Sequence, residues 1–600
     1  MKIRALISLF VAFSLAPVSA VEQSSPLGLL PQLDSTAAST CSVRTRARLF
    51  SPLGALPADT DSFVVFSRLG EIASRIQWES GVLPAVDLLT ELEGLAVGVS
   101  ADTVADLRRL LPLFQILSTS VGEAAEAWKS KAADDVARAI VAEQRAQFDT
   151  DAETLVQASR DFHLAPIYFV LTAKEAGQQL LRQLSLLPMM LPIASDAPIE
   201  MTAKGDWRGF SVHGNRLDLS MLGLSPDQEK EMKQNLEQAR LYVVSKKVGK
   251  RLVLVICSNL DEVSIPAKYT QSLLAAPVMN HFDSAAQQNP WAVGYSSASV
   301  VKMREDLDVF DYFNTVDFMA RVFSRLGAGN EAYSAAAEAL KSLRQVSQQF
   351  LPKHHGPERF VVWGEDEYYL QMVGAAGDMS FAPGSIRYAD NATADKTAVY
   401  VESTALQAGA ALDIPAVLND IEKIQTGVRA SLKPDCVAEC ASLAQRLGQY
   451  RPYIEAVAAT GRELNDGVQG SAAFLFSVAE GGDSASASLS LCAGVADPQS
   501  MADRLQGLIS LPSDGSITKP TVCVREGECV MNCGGNAPAP SINAVPVSGA
   551  ALFAVNLPLL NKVVQQQGLQ EVSSWIKRIE GALSTQESEF HLLLRLTPNK

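Results

Sequence analysis

Five times along the chain, a short apolar run ends in a polar residue and passes directly into a helical pattern of apolar spacing. The polar residues at these junctions are Ser67, Thr172, Ser296, Ser403 and Asn556. Their side-chain oxygens can accept hydrogen bonds from the exposed N–H groups of a first helical turn, so each junction predicts a strand followed by a helix. The spacings are unequal, roughly 100 to 150 residues, which predicts a degenerate repeat rather than a short-period solenoid.

Strand–turn–strand patterns lie between these junctions. The stretches 240–257, 359–373 and 472–491 combine β-branched or aromatic residues with polar, glycine-bearing turns at Gly249, Gly364 and Gly481. Such turns are typical of hairpins, and residues 589–596 read as a closing strand. The predicted fold class is therefore α+β, with repeated strand–helix–hairpin units that form mixed or antiparallel sheets, helices packed on one face, and helical insertions.

The insertions are three segments of helical composition, 121–162, 334–350 and 436–464. In the first, Trp128, Val136, Ile140 and Val141 form a weak apolar stripe. A stripe of this kind usually packs on the protein's own core. The alternative is a projecting helical hairpin that meets a partner.

Residues 1–20 have the three parts of a secretory signal. Lys2 and Arg4 provide a positive start, residues 5–16 an apolar core, and residues 18–20 a small-residue cleavage site. The apolar core is too short to cross a bilayer of about 30 Å. We therefore expect export with cleavage after Ala20, no transmembrane segment in the remaining chain, and a periplasmic, extracellular or cell-surface location.

The charge of the exported chain limits its partners. The formal net charge is −15, and removal of Lys2 and Arg4 with the signal makes it −17. A surface this acidic repels phosphate backbones, so nucleic acid is not an expected partner. The expected partner is an unknown envelope protein or polymer.

The length of the chain predicts several domains, because a single core does not extend over so many residues. Composition places the boundaries of five segments. They are a signal peptide (1–20), a flexible lead-in (21–55), a first α+β domain with a helical insertion (56–285), a second of the same kind (286–533), and a connector with a closing strand–helix–strand unit (534–600).

An even number of cysteines in an exported chain predicts disulfides. In the stretch 521–535, a five-residue loop would place Cys523 opposite Cys529 and leave Cys533 for a distant partner such as Cys492. The spacing lacks the CxxC step of a zinc knuckle or a redox site. Disulfide candidates are Cys41, Cys257, Cys436, Cys440, Cys492, Cys523, Cys529 and Cys533, although Cys257 lies in an apolar run where a buried free thiol is common.

No other pattern predicts chemistry. The chain has six histidines and no HExxH motif, and the adjacent His354 and His355 would chelate a metal together only from a loop. Ser484 follows Gly-Gly-Asp where a hairpin turn is expected, and the acidic residues 365–367 fall in another such turn. No phosphate-binding glycine motif occurs, and Asn391 matches a glycosylation acceptor. No catalytic, cofactor-binding or metal-binding residue is therefore predicted, and no cofactor.

The phrase LPADTDSFVVFSRL at 56–69 resembles a broad group of exported bacterial proteins of unknown function, whose domains open with Pro-x-Asp before a strand and a helix. Residues 269–299 are similar in style, with a Ser-Leu-Leu helix start followed by an apolar strand. The resemblance implies export and a repeated strand–helix–hairpin architecture, and it carries no activity.

Three functional hypotheses follow. The first is a non-enzymatic envelope or surface protein with a binding or scaffold role. The second is a secreted hydrolase whose site is assembled from residues distant in sequence. The third is an assembly protein that uses its helical segments as partner surfaces. A deep cleft with converging Ser, His and acidic side chains would favour the hydrolase, whereas an exposed apolar patch would favour a partner protein.

Overall fold

The structure is a computed structural model with an α+β fold. It describes residues 41–71, 91–110, 120–190, 199–308, 310–349, 356–376, 379–388, 397–408, 412–481, 484–509, 521–525, 528–533, 545–547, 550–566, 576–586 and 589–599. The predicted signal segment, the pair His354 and His355, and Asn391 lie outside these ranges. No helix within them is both long enough and apolar enough to span a bilayer.

The chain divides into two compact units. The described residues of the N-terminal unit lie within Ser35–Val322 and Gly356–Trp363, and those of the C-terminal unit lie within Phe323–His355 and Gly364–Lys600. The predicted boundary at 285/286 falls inside the N-terminal unit, because the strand that follows it pairs with the first strand of that unit.

The described part of the N-terminal unit contains a nine-stranded antiparallel sheet in the order β9-β8-β1-β2-β3-β7-β6-β5-β4. Its strands are β1 (Thr60–Phe66), β2 (Leu92–Ser100), β3 (Ile167–Ala173), β4 (Ile199–Lys204), β5 (Trp207–His213), β6 (Arg240–Val248), β7 (Arg251–Cys257), β8 (Ala292–Ser296) and β9 (Glu358–Trp363). The predicted hairpin at 240–257 is confirmed, since Gly249 takes the positive φ that its turn needs.

A row of directly opposed side chains runs across five of these strands. It consists of Val293, Val65, Ala96, Val170 and Val253, and every one of them is fully buried. Alternation along each strand places these residues on one face, and small and β-branched side chains pack closely there. This row is the centre of the core of the N-terminal unit.

The N-terminal unit also contains helices. They are α1 (Val43–Leu49), α2 (Ala101–Arg109), α3 (Ser120–Lys131), α4 (Asp134–Ser159), α5 (Gln178–Met190), α6 (Pro226–Asn235), α7 (Asp283–Ala286) and α8 (Ala298–Asp308), with α9 (Phe310–Leu326) containing the division between the units. Short 3-10 turns occur at Ser51–Ala55, Gly214–Arg216, Ser220–Leu222, Leu260–Glu262, Tyr269–Gln271, Leu273–Ala275 and Pro277–Phe282.

The segment predicted as a flexible lead-in is structured where it is described. Helix α1 and the turn Ser51–Ala55 fall within it, and Phe50 and Leu53 are fully buried. Arg46 donates to both carboxylate oxygens of Asp283 at 2.8 and 2.7 Å, and to the carbonyl oxygen of Leu274 at 3.1 Å. The basic residues and the many Ser and Thr residues of this segment predict exposure to solvent. In the structure, the buried carboxylate of Asp283 pairs with Arg46 and places that arginine in the core.

The described C-terminal unit contains an antiparallel nine-stranded sheet in the order β10-β22-β21-β20-β13-β15-β16-β18-β17. Its strands are β10 (Tyr368–Ala375), β13 (Thr397–Ser403), β15 (Val468–Gly481), β16 (Ser484–Val495), β17 (Thr521–Arg525), β18 (Glu528–Cys533), β20 (Ala550–Asn556), β21 (Ile576–Gln586) and β22 (Glu589–Pro598). Two small pairs join β11 (Met379–Phe381) to β14 (Leu406–Ala408) and β12 (Gly384–Ile386) to β19 (Val545–Val547).

The helices of this unit are α10 (Glu331–Gln349), α11 (Ile414–Ser431), α12 (Pro434–Gly467), α13 (Pro498–Ile509) and α14 (Leu557–Gln566) in the ranges described. Helices α10 and α11 approach closely, because Gly427 presents no side chain and a Cβ there would lie 2.4 Å from the Cβ of Ala336. Helix α13 packs on β17 and β18, and helix α14 packs on β13 and β21. The predicted helical segments at 334–350 and 436–464 are thus confirmed.

The predicted junctions are confirmed only in part. Asn556 ends β20 and its Oδ1 accepts from the N–H of Leu559, as a helix start requires. At β8 the capping residue is Ser297, one position beyond the prediction. Thr172 lies inside β3 and does not begin a helix, although helix α5 follows that strand as predicted. Ser403 precedes the short strand β14 rather than a helix. The helix start predicted at each of these two residues is therefore wrong. In both segments, pairing with a neighbouring strand keeps the backbone extended through the residue at which the local pattern predicted a helix to begin.

Candidate functional site

The hairpin that carries Cys523 and Cys529 has a different register from the predicted one. It closes with Arg525 opposite Glu528, which places Cys523 opposite Val530 rather than Cys529. Neighbouring residues of a strand face opposite ways, and accordingly Cys523 is exposed whereas Cys529 is buried. The predicted direct pairing of these two cysteines is wrong, because a shift of one residue moves a side chain to the other face.

The suggested disulfide between Cys533 and Cys492 is also incompatible with this register. Cys492 lies opposite Val530, and Cys533 lies opposite Leu489, three residues along the strand. Three residues of strand span roughly 10 Å, which exceeds the Cα separation that a disulfide bridges.

The cysteines whose side chains are described carry free thiols: Cys41, Cys257, Cys436, Cys492, Cys523 and Cys529. Burial raises the pKa of Cys257 to about 12, and that of Cys492 and Cys529 to about 11 each. A thiol so far from ionisation is a poor nucleophile. The structure does not describe the side chains of Cys440 and Cys533.

The acidic turn at 365–367 borders a cavity of about 480 Å³ that Tyr369, Thr597 and Pro598 also line. Glu367 accepts from Arg595 at 2.8 Å, from the Tyr369 hydroxyl at 2.8 Å and from the Thr597 hydroxyl at 3.2 Å. Burial opposes ionisation, but these three donors together lower the pKa of Glu367. The arrangement therefore favours the carboxylate form of Glu367.

Ser484 begins β16 and lies opposite Gly481 at the tip of the β15–β16 hairpin. This is the turn position that its sequence predicted. Among the described residues, no three His, Cys, Asp or Glu side chains form a group that could hold a metal ion.

The structure assembles a cluster around His163 that no motif indicated. His163 Nδ1 lies 2.7 Å from Asp106 Oδ2, and its Nε2 lies 3.0 Å from Glu262 Oε2. Asp106 comes from α2 and Glu262 from the turn Leu260–Glu262, so the contacts span 57 and 99 residues of sequence. Separations of this size leave no local spacing signal, which explains why sequence reasoning missed the cluster.

Hydrogen bonding to Glu262 raises the pKa of His163 above its ordinary value; burial opposes this rise, and Asp106 adds to it. An imidazole between two carboxylates is suited to holding and releasing a proton. Asp106 also accepts from the N–H of Ala165 at 2.9 Å, so it is fixed in place.

The C-terminal unit buries a second polar cluster. Glu402 on β13 is fully buried, and its carboxylate accepts from the N–H groups of Arg387 and Tyr388 at 2.6 and 2.8 Å. The hydroxyls of Tyr400 and Ser471 donate to the same carboxylate. With four donors converging on one side chain, this cluster is a structural anchor for the segment 387–388.

Glu528 on β18 extends the cluster. It is buried, accepts from the hydroxyl of Tyr388 and forms an ion pair with Arg387. Burial and the hydrogen bond to Glu528 raise the pKa of Tyr388, so this phenol stays protonated and donates.

The opposite face of the same sheet is apolar and partly uncovered. Val401 lies directly opposite Phe474, and these side chains are 41% and 38% exposed. Phe553 and Leu491 continue the row on the flanking strands β20 and β16, and both are partly exposed. We call these four residues the apolar row.

Two helices lie on the face of the apolar row. Helix α13 packs against Ala472, and helix α14 packs against Val478 through Leu559. Ala472, Phe474 and Val478 share one face of β15 because they are spaced by even numbers of residues. The helices thus cover two parts of this face, and Val401 and Phe474 between them remain exposed.

No family model matches this chain, and neither does a curated protein or a solved structure.

Proposed function

We propose that the chain is an exported protein of the bacterial envelope or surface that binds a partner protein and has no catalytic role. The observation that carries the proposal is the apolar row, in which Val401 and Phe474 stand side by side and remain more than a third exposed. Contiguous exposed apolar side chains on a protein surface often mark a site of interaction with another protein.

The position of the row indicates what would cover it. Helices α13 and α14 already form a layer on this face of the sheet. A helix with an apolar stripe would lie in the same layer and bury Val401 and Phe474, as amphipathic helices do in apolar grooves. The proposed partner therefore presents such a helix.

The scaffold part of the proposal is supported by the order of strands. In sheet order, the N-terminal unit has β9-β8-β1-β2-β3-β7, and the C-terminal unit has β21-β20-β13-β15-β16-β18. Among these six strands of each unit, the strand that comes first along the chain lies between the second and the fifth. A helix follows the third and the fifth of the six in both units. This common order supports a duplicated strand–helix–hairpin architecture.

Export is supported by residues 1–20, whose charged start, apolar core and small-residue site are those of a secretory signal. The acidic charge of the chain supports a protein or polymer rather than a nucleic acid as its partner.

The test uses a photo-crosslinking residue in place of Phe474 in the exported chain. A protein crosslinked in envelope extract is identified by mass spectrometry, produced in pure form, and its affinity measured by calorimetry. Truncation of a central apolar anchor costs about 1–3 kcal/mol, so Phe474→Ala should weaken binding by about 5- to 150-fold. Met201→Ala is the matched control, because Met201 is also strongly exposed but lies on β4 of the other unit.

The proposal is wrong if Phe474→Ala binds the partner as tightly as the unaltered chain. It is equally wrong if no protein crosslinks at position 474 while the purified chain turns over a hydrolase substrate. Circular dichroism of each variant establishes that a loss of affinity does not reflect unfolding.

A further inference from the structure

His163 joins three separate parts of the N-terminal unit. The residue follows α4, Asp106 belongs to α2, and Glu262 belongs to the turn Leu260–Glu262 that follows β7. The imidazole contacts one carboxylate through each ring nitrogen. Its side chain is 40% exposed, so protons exchange with solvent, whereas that of Asp106 is only 5% exposed.

The number of ring protons decides how many of these contacts persist. A protonated imidazole has two N–H donors and can bond both carboxylates, whereas a neutral imidazole has one donor and can bond only one. A neutral ring nitrogen facing a carboxylate places two acceptors together, and that contact is repulsive. Loss of the proton therefore breaks one side of the cluster.

The structure indicates which side breaks. Asp106 is buried, and its Oδ2 accepts from the N–H of Ala165 and faces His163, so losing the histidine donor would leave a desolvated carboxylate with one donor fewer. Glu262 is 38% exposed and also accepts from Asn259 Nδ2 at 3.0 Å. Water can replace the lost donor at Glu262 but not at Asp106. The remaining proton thus stays on Nδ1, toward Asp106.

We propose that His163 is a pH-operated latch, which holds the turn Leu260–Glu262 against the core when protonated and releases it when neutral. The turn lies between two fixed points. The N–H of Ser258 donates to the carbonyl oxygen of Leu164 at 2.8 Å, and the N–H of Ser264 donates to the Tyr168 hydroxyl at 3.1 Å. Release is confined to the segment 259–263 between them.

Two further charged contacts border the cluster. Arg109 on α2 faces Asp106 at 3.5 Å, and Lys204 on β4 pairs at 2.6 Å with Asp261, the neighbour of Glu262. Histidine is the side chain whose ordinary pKa falls between pH 5 and 8, so His163 is the group of this cluster that changes charge there.

The direction of the pH dependence follows from the raised pKa of His163. The stabilisation is fully present below the ordinary histidine pKa of the unfolded chain, about 6.5. It is lost as the pH rises through the higher pKa of the folded state. The latch is therefore closed in mildly acidic medium and open in alkaline medium.

The test compares two measurements on the full chain. Carbon-13-labelled histidine gives the pKa of His163 by NMR, with the resonance assigned from His163→Gln. Hydrogen exchange by mass spectrometry, corrected for the intrinsic pH dependence of exchange, gives the opening of 259–263. Each unit by which the pKa of His163 in the unaltered chain exceeds its pKa in Glu262→Gln should appear as about a tenfold loss of protection between low and high pH.

Glu262→Gln keeps the shape of the turn but removes its charge, and should lower the pKa of His163 and abolish the pH dependence of exchange at 259–263. His213→Gln is the matched control, because it removes another histidine–carboxylate pair of the same unit, His213 with Glu200 at 2.8 Å, and should leave that exchange unchanged. Titration of His163 without any change in exchange at 259–263 would overturn the proposal, as would undiminished pH dependence in Glu262→Gln.

Discussion

Replacing Glu402 by glutamine changes one buried group and keeps its shape. In the native chain, Oε1 accepts from the N–H of Arg387 and the Ser471 hydroxyl, while Oε2 accepts from the N–H of Tyr388 and the Tyr400 hydroxyl. Each oxygen thus serves one backbone N–H and one hydroxyl. The substitution turns one of these oxygens into an NH₂ group.

The cost follows from which donors can adapt. A hydroxyl can rotate and accept from the new NH₂ group, but a backbone N–H only donates. Whichever way the amide turns, one backbone N–H of 387–388 is left facing another donor in a buried site. A buried donor without a partner costs about 1–3 kcal/mol, so Glu402→Gln should destabilise the C-terminal unit by that amount. Glu402→Ala strands both N–H groups and leaves a void, so it should cost more.

Hydrogen exchange by mass spectrometry is the suitable assay, because it resolves peptides of β13 and β15 and therefore reports on this unit alone. A loss of about 1–3 kcal/mol corresponds to about 5- to 150-fold faster exchange. Glu422→Gln is the matched control, since that carboxylate is half exposed and pairs with Arg451 on the surface, where an ion pair contributes little to stability. Exchange in Glu402→Gln within twofold of the native chain would refute the stated role of the four donors.

Three further changes test other parts of the fold. Arg46→Ala leaves a buried carboxylate without its partner and should destabilise the N-terminal unit by about 3–5 kcal/mol, measured by urea denaturation. Gly209→Ala should destabilise by about 1–3 kcal/mol, because its Cβ would lie 2.1 Å from a backbone carbonyl oxygen. In Gly448→Ala, on helix α12, the added Cβ meets nothing within 4 Å, so the substitution should stabilise the chain by about 0.5–1 kcal/mol. Thermal melts should show a lower melting temperature for Gly209→Ala and a higher one for Gly448→Ala. Iodoacetamide at pH 8 should alkylate exposed Cys523 and spare buried Cys257 until the chain is unfolded, which mass spectrometry detects; protection of Cys523 that reduction removes would instead reveal a disulfide.

Local patterns predicted much of the secondary structure. The hairpin at 240–257 and the helix start at Asn556 are as expected, since a glycine turn and a capping side chain act within a few residues. The helix over 134–159 also follows its stripe, with Val136 and Ile140 buried one turn apart. Val141 is exposed instead, because the next residue of a helix points about 100° away. The predicted pairing of Cys523 with Cys529 is wrong only in its register, which depends on the two residues that close the hairpin.

The polar clusters could not be predicted from local patterns. Along β13, hydropathy favours Val401 as the core residue and Glu402 as the surface residue, yet Val401 is exposed and Glu402 is fully buried. A carboxylate tolerates burial only where donors surround it, and those donors come from 387–388 and 471, brought to it by the sheet. His163 acquires its two carboxylates in the same way, from α2 and from the turn after β7.

The sequence by itself determined the α+β class, most hairpins and helices, and the expectation of export, because these depend on period, turn chemistry and end composition. Only the tertiary structure decided the division into units, the register of the cysteine hairpin, the burial of Arg46 and Glu402, and the exposure of the apolar row. The physical reason is that burial and ion pairing join residues far apart in the chain, and the free energy of a polar group depends on the partners it meets there.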